Sequence, residues 1–253
     1  DFDQIIFFTG AGMSAESGVP TYRGEGGIWH KYKWEDYACQ TAFDLDPEAV
    51  VDFHELRRIE ALKCVPHTGH KIITKVQSEK PETTIVTQNI DGMHQKAASH
   101  RVIELHGSLW RMRCEEEGTV MDDLDNGKYK IRKCSCGSRL RPDIIWFHDM
   151  LNEKVVSAAN EIISTCDLFI SIGTSSVVWP AAGYPNLAKN NGAFCIEINP
   201  EETALSYLYD RQIRRTASGG LKQIFYEMVL EMKQMGNSNC WFSRTPISFN
   251  KGE

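Results

Sequence analysis

A chain of 253 residues is long for one compact domain and short for two, which points to one large domain carrying a smaller insertion. Its 42% hydrophobic and 25% charged residues describe a soluble globular protein, and no run approaches the roughly 18 apolar residues of a membrane span. The formal charge of -6, from 34 acids against 28 bases, has the wrong sign for a nucleic-acid platform, so neither a membrane nor a nucleic acid is expected as a partner.

In chain order, residues 5–8, 84–87, 168–172 and 194–198 form short apolar runs, and a weaker one, 102–105, ends at His106-Gly107. Each is too short for a helix, rich in β-branched or aromatic residues, and stops at a polar residue or glycine, as buried parallel strands do. Amphipathic helical stretches at 47–62, 67–77, 153–164 and 221–235 alternate with them. The alternation predicts an α/β fold, a Rossmann-like doubly wound parallel sheet. Residues 25–82, mostly helical, and 109–141, charged and cysteine-bearing, break the pattern and are expected to form a smaller inserted domain. The large domain then takes 1–24, 83–108 and 142–235, leaving 236–253 as a tail.

Cys39, Cys64, Cys166 and Cys195 sit singly among apolar or helical residues, as reduced buried thiols do, so a cytoplasmic location is expected. Because Asp1 directly precedes a core strand, the chain reads as trimmed, and any targeting peptide would lie in the missing part.

After the first strand comes Thr9-Gly10-Ala11-Gly12-Met13-Ser14-Ala15, the G-x-G-x-x-A form of the dinucleotide fingerprint. In that reading Gly10 makes the tight turn, Gly12 lets backbone N–H groups approach a pyrophosphate, and Ala15 allows close helix-strand packing. A nicotinamide dehydrogenase also needs an acid ending a second strand about 20 residues later. Residues 19–29 are instead a polar loop without strand character, and a strand-end acid appears only late, at Glu197. In open α/β sheets ligands lie beyond the carboxyl ends of the strands. Those ends carry Gln88-Asn89-Ile90-Asp91, His106-Gly107, Gly173-Thr174-Ser175-Ser176 and Asn199-Pro200, which predicts one polar crevice.

Taken in order, GAGMSAESGVPTYRG, TQNIDGMH, ELHGSL, GTSSVVWPAA and IEINP closely resemble the sirtuins, the NAD-dependent protein lysine deacylases, from residue 5 to about 230. The branch resembled is that of the bacterial and mitochondrial-type desuccinylases. The resemblance implies a Rossmann-type domain, a small domain with a helical insertion and a zinc module, and acyl-lysine peptide and NAD meeting between them. It implies attack of the acyl oxygen on the nicotinamide ribose and loss of nicotinamide. His106 then deprotonates a ribose hydroxyl that attacks the imidate, giving O-acyl-ADP-ribose and free lysine. Imidazole titrates near neutral pH and suits that role. Capping or core roles are expected instead for His30, His67, His70 and His100.

By the same resemblance, Gly10, Ala11, Gly12, Ala15, Glu16, Thr21, Tyr22, Arg23 and Trp29 wrap the pyrophosphate and nicotinamide ribose, with Arg23 on the loop that closes over the cofactor. Gln88, Asn89, Ile90 and Asp91 line the nicotinamide pocket, Asn89 acting with His106 in catalysis and Asp91 accepting from the carboxamide. Gly173, Thr174 and Ser175 contact phosphate and ribose, Asn199 the adenosine ribose beside Pro200 and Glu201, and Ala217 the adenine region. Asn89 and Asp91 can equally cap the segment that follows them.

The branch that removes acidic acyl groups has a Tyr-x-x-Arg pair where this chain has His54-Glu55-Leu56-Arg57. His54 and Arg57, at i and i+3, share a helix face and are expected to clamp an acyl carboxylate; a solvated helix face is the alternative. Deacetylation, desuccinylation and other deacylations all stay open. The usual zinc module has two CxxC pairs, whereas here only Cys114, Cys134 and Cys136 fall in register, with Glu115, Glu116 and Glu117 behind the first. A three-cysteine site completed by a carboxylate or water and a degenerate module without metal both fit. Tyr22 stands where phenylalanine is common, and His148-Asp149, on the peptide-binding loop, where Gly-Glu is common. Mono-ADP-ribosyl transfer to protein and a non-catalytic NAD or ADP-ribose binding module are the competing functions.

Overall fold

The computed structural model describes residues 2–22, 26–124 and 127–234, with 227–234 as backbone only. Strand β1 (Ile5–Thr9) is buried at every position, as a central strand covered on both faces must be. It pairs in parallel with β2 (Thr84–Thr87) on one side and with β7 (Leu168–Ile172) on the other. Outside these lie β3 (Val102–Glu104), β8 (Phe194–Ile198) and β9 (Arg211–Ile213), giving the order β3-β2-β1-β7-β8-β9. Only β9 has no counterpart among the strands expected from sequence: three residues, two of them polar, carry no apolar run.

Side-chain alternation along β1 assigns the helices to the two faces. Ile5 and Phe7 pack with Ile72, Ile73 and Val76 of helix α6 (Thr68–Glu79) and with Leu221 and Ile224 of α10 (Ala217–Gln234). Ile6 and Phe8 pack with Ala159 and Ile163 of α8 (Glu153–Ser164) and with Tyr184 and Ala188 of α9 (Tyr184–Asn190). Helix α6 therefore belongs to the sheet's outer layer although it lies within 25–82, because its apolar stripe is buried against β1. Helix α10 begins four residues before the expected 221; Ser218-Gly219-Gly220 hides its start, and the Glu16 carboxylate supplies it by accepting from Ser218 N at 2.8 Å and Ser218 Oγ at 2.6 Å. The tail 236–253 lies outside the described residues.

The smaller part is a three-stranded antiparallel sheet, β5 (Val120–Asp122), β4 (Gly107–Cys114) and β6 (Leu140–Ile144), in that order. Helices α4 (Gln40–Leu45) and α5 (Pro47–Lys63) cover it, with Ala42, Phe43, Val50 and Val51 against Leu109, Met112, Leu140 and Trp146. Pro47 opens α5 and Asp46 caps it, its Oδ1 accepting from Ala49 N at 3.0 Å. Among the described residues no helix is long and apolar enough to cross a membrane.

Candidate active site

The turns after β1 and β7 meet backbone to backbone. Gly12 N donates to Gly173 O at 2.9 Å, and a Cβ on Gly173, whose φ is +59°, would lie 2.5 Å from Gly12 C. Gly10 has the same constraint, with a built Cβ 2.7 Å from Gly173 O. The first glycines of the fingerprint are thus needed for turn-to-turn packing. The Gly12 amide itself is engaged by Gly173, and Gly12 still lines the cavity.

The turn after β2 is tied into the same frame. Asn89 Nδ2 donates to Gly10 O at 2.9 Å and to Ser14 Oγ at 3.3 Å, which leaves its side-chain oxygen for a ligand. Gln88 Nε2 donates to Thr174 Oγ1 at 3.0 Å, and Asn199 Nδ2 to Thr174 O at 2.9 Å. Asp91 caps the short helix Met93–Lys96 through Met93 N at 2.8 Å; burial holds its carboxyl above the usual range. Glu197, the late strand-end acid, is enclosed by Thr203, Ser206 and Arg214 Nη1 at 2.5 Å, so it organises the β8 end and is not a ribose ligand.

His106 follows β3 at the corner where the chain leaves the parallel sheet for β4. Gly107 allows the corner: its φ is +76°, and a Cβ there would lie 2.0 Å from Asp143 O. His106 Nδ1 donates to Gln88 O at 3.1 Å, which fixes the proton on that nitrogen and leaves the Nε2 lone pair free. Burial pushes its pKa below the ordinary histidine value, so the ring is neutral at pH 7.

These strand ends open into one cavity of about 1280 Å³, more than a single drug-sized ligand fills. Every described residue assigned above to the cofactor or acyl group lines it except Asp91, which lies in a small adjoining pocket shared with Ala11, Tyr22, Arg57 and Asn89. Arg23 lies outside the described residues. Trp29 packs against Tyr22, Phe53 and Phe147, with ring centroids 5.7, 6.2 and 6.0 Å apart, forming an aromatic wall opposite the glycine turns.

The expected His54–Arg57 clamp is halved. His54 Nδ1 donates to Val50 O at 2.8 Å and Nε2 accepts from Trp146 Nε1 at 3.2 Å, so neither nitrogen has a proton for a ligand. Burial lowers its pKa to about 4, which excludes the charged form. Arg57 also lines the cavity, its guanidinium 5.7 Å from the Tyr22 ring and its buried Nε without a protein partner.

Several cavity segments were not expected as site residues from sequence, among them Trp146-Phe147 with Met150-Leu151 after β6, Val178-Trp179-Pro180 after the β7 turn, and Glu202-Thr203-Ala204 after β8. The signal for the first was available, an apolar run at 144–147 stopping at His148-Asp149. Beneath the cradle is a row of histidines, His67 half-buried and His70 and His94 buried. His67 Nε2 donates to Met13 O at 2.6 Å, His70 sits 4.4 Å from it ring to ring, and His94 Nε2 bonds Thr9 Oγ1 at 3.0 Å.

At the far end of the small sheet, Cys114, Glu117, Cys134 and Cys136 offer ligand atoms that all lie within 4.8 Å of one another. Cys134–Gly137 forms a tight turn closed by Gly137 N to Cys134 O at 3.0 Å, which brings Cys136 Sγ to 3.6 Å from Cys114 Sγ. Thiolates on a tetrahedron of zinc–sulfur bonds of about 2.3 Å stand about 3.8 Å apart, so three thiolates and the Glu117 carboxylate fit zinc. The cluster lies off the cavity wall.

The sequence model of the Sir2 family matches residues 10–180. An NAD-dependent protein deacylase of Aquifex aeolicus is 44% identical over 223 residues, covering 87% of this chain and 93% of its own. NAD-dependent protein deacylase 2 of Pyrobaculum aerophilum is 41% identical, covering 88% and 90%. A solved Sir2 homolog-NAD complex superposes with a TM-score of 0.84 at 35% identity, covering 92% of this chain and 91% of that one. A Sir2 complex with deacetylated p53 peptide and 3'-O-acetyl ADP ribose superposes at 0.78 with 27% identity, covering 90% and 94%. With its glycine turns, its HG corner and its paired strand ends all in place, the chain belongs to the Sir2 family.

Proposed function

We propose that the chain is an NAD-dependent protein-lysine deacylase in which His106 is the general base and an acyl-lysine side chain enters along the aromatic wall. The observation that carries this reading is the state of His106: its Nδ1–H is held by Gln88, burial keeps it neutral, and it stands on a cavity with room for two substrates. NAD, as co-substrate, supplies the ribosyl carbon that accepts the acyl oxygen. The turns at Gly10–Ala15 and Gly173–Ser175, with Asn199, hold the dinucleotide; Asn89, Ile90 and Asp91 flank the nicotinamide end; His106 Nε2 takes a proton from a ribose hydroxyl.

Arg57 alone is left to recognise an acidic acyl group, through the donor atom that no protein group satisfies. Cys114, Cys134, Cys136 and Glu117 would hold a zinc ion, which when bound would fasten the 134–137 turn to the end of β4, away from the site of proton transfer. Outside the cysteine module, Cys39, Cys64, Cys166 and Cys195 are buried and in no disulfide, which supports a reducing compartment such as the cytoplasm.

The deciding experiment incubates the protein with NAD and acetyl-, succinyl- and longer-acyl-lysine peptides and identifies products by mass spectrometry. Free lysine with O-acyl-ADP-ribose is expected. ADP-ribosylated protein without deacylation, or no turnover of any peptide, overturns the proposal.

A further inference from the structure

The cavity loop at 146–151 is held in an unfavourable shape by one buried cation. His148 has φ +69°, a left-handed conformation that a residue with a side chain keeps only when its surroundings enforce it. The turn around it closes on itself: Asp149 N donates to Trp146 O, and Trp146 N donates back to Asp149 Oδ2, each at 3.1 Å. That same carboxylate oxygen accepts Arg141 Nη2 at 2.7 Å, with Arg113 Nη2 at 3.5 Å. The Arg141 guanidinium also lies 3.5 Å from the centroid of Trp146, whose indole N–H in turn fixes His54. Both ends of the strained turn therefore rest on Arg141, which is only 1% exposed.

The other edge of the guanidinium faces the cysteine module. Arg141 Nη1 pairs with Glu115 Oε1 at 3.1 Å and with Gln40 Oε1, and Gln40 Nε2 donates to Glu115 Oε2 at 3.0 Å, closing a ring of three residues. Glu115 directly follows Cys114 and precedes Glu117, two of the four groups that fit zinc. A buried cation set between two carboxylates on different segments fixes their spacing, and a guanidinium does so through directed N–H bonds that an ammonium cannot duplicate.

We infer that Arg141 is a positioning residue for the acyl-lysine substrate: it holds the Trp146–Asp149 turn in its cavity-lining shape and couples that turn, through Glu115, to the cysteine module. The inference rests on the deacylase reading, since it takes residues 146–151 as the wall along which the acyl-lysine lies. It gives the cysteine module, which touches no part of the cavity, a physical connection to substrate binding.

The test measures binding of an acetyl-lysine peptide and, separately, of ADP-ribose by calorimetry, with metal content determined for every variant. Arg141→Met is expected to weaken peptide binding about tenfold or more while ADP-ribose binding stays within about twofold. Arg141→Lys, which keeps the charge and loses the fork, recovers part of the loss. Asp149→Asn reproduces the loss on the turn side and carries the test if Arg141→Met does not fold. Glu115→Gln weakens peptide binding about threefold with metal content unchanged. Peptide and ADP-ribose affinities that fall together, or an Asp149→Asn protein that binds peptide as the wild type does, overturn the inference alone. A wild-type protein that binds ADP-ribose and no acyl-lysine peptide overturns the deacylase reading and this inference with it.

Discussion

On one side of the cavity the turns after β1 and β7 approach until Gly10, Gly12 and Gly173 touch through their backbones, and Gln88, Asn89, His106 and Asn199 each hydrogen-bond a neighbouring strand end. On the other side Phe53 and Phe147 pack on Trp29, and the His54–Trp146 pair, 92 residues apart in sequence, meets through a side-chain hydrogen bond. The first wall is made of main chain and admits no side chain at its contact points; the second is made of side chains and changes character with each of them. The glycine rim is therefore fixed by the fold, whereas the aromatic wall depends on individual side chains such as His54, whose nitrogens are occupied by Val50 and Trp146.

The largest effect that would break this contrast is at His106. His106→Ala is expected to lower deacylation about 1000-fold while leaving the melting temperature near that of the wild type; a loss below about tenfold would remove His106 as the base. The wild-type rate should also hold on the acid side to below pH 6.5, because burial depresses the imidazole pKa, and a fall already complete by pH 6.5 would contradict the environment described. Next in size is Gly173→Ala, which combines a left-handed φ with a 2.5 Å approach to Gly12 C and is expected to cost about 3 kcal/mol in denaturant unfolding and to abolish NAD binding. An alanine variant that binds NAD normally would mean that the turns can separate.

A stability measurement tests the buried histidines, two beneath the cradle and one in the aromatic wall. Unfolded, His54, His70 and His94 titrate near the ordinary histidine value; folded, burial holds His54 and His94 at about 4 and His70 at about 2, with the neighbouring histidines depressing His70 and His94 further. Stability is then full above pH 6.5 and falls as pH drops toward 4, because the unfolded chain takes up protons that the folded chain refuses. Each histidine contributes about 1 kcal/mol between pH 6.5 and 5.5, so a loss of about 3 kcal/mol is expected over that unit. A flat unfolding free energy across it would show the three rings charged in the fold. The smallest effect belongs to Arg57→Met, expected to reduce kcat/KM on a succinyl peptide about tenfold and on an acetyl peptide less than twofold; equal losses would leave Arg57 without a role in acyl choice.

Much of the main-chain wall was legible in the sequence. Buried parallel strands are continuous apolar runs, and the polar residues that stop them, Asn89, His106, Thr174 and Asn199, are the ones the sheet brings to a common edge. The packing of Gly12 on Gly173 was not legible, because a tight phosphate turn and a turn packed on another turn call for the same residue. Nor was the other wall. His54 sits one helical turn from Arg57, as the spacing requires, but its nitrogens are occupied by Val50 and by Trp146, a partner that no local pattern reveals. The placement of α6 escaped for a similar reason, since an amphipathic stripe states that a helix is buried and not what buries it.

The contact of Gly12 with Gly173 carries a consequence for how such a site changes over time. At Gly10, Gly12 and Gly173 alike, a built Cβ lands within 2.7 Å of the opposite turn, so no single substitution there is accommodated by its partner. The three positions behave as one unit that is kept whole or lost. A substitution that reshapes the cavity without parting the two turns has to fall on its other lining residues, such as Arg57 and His148.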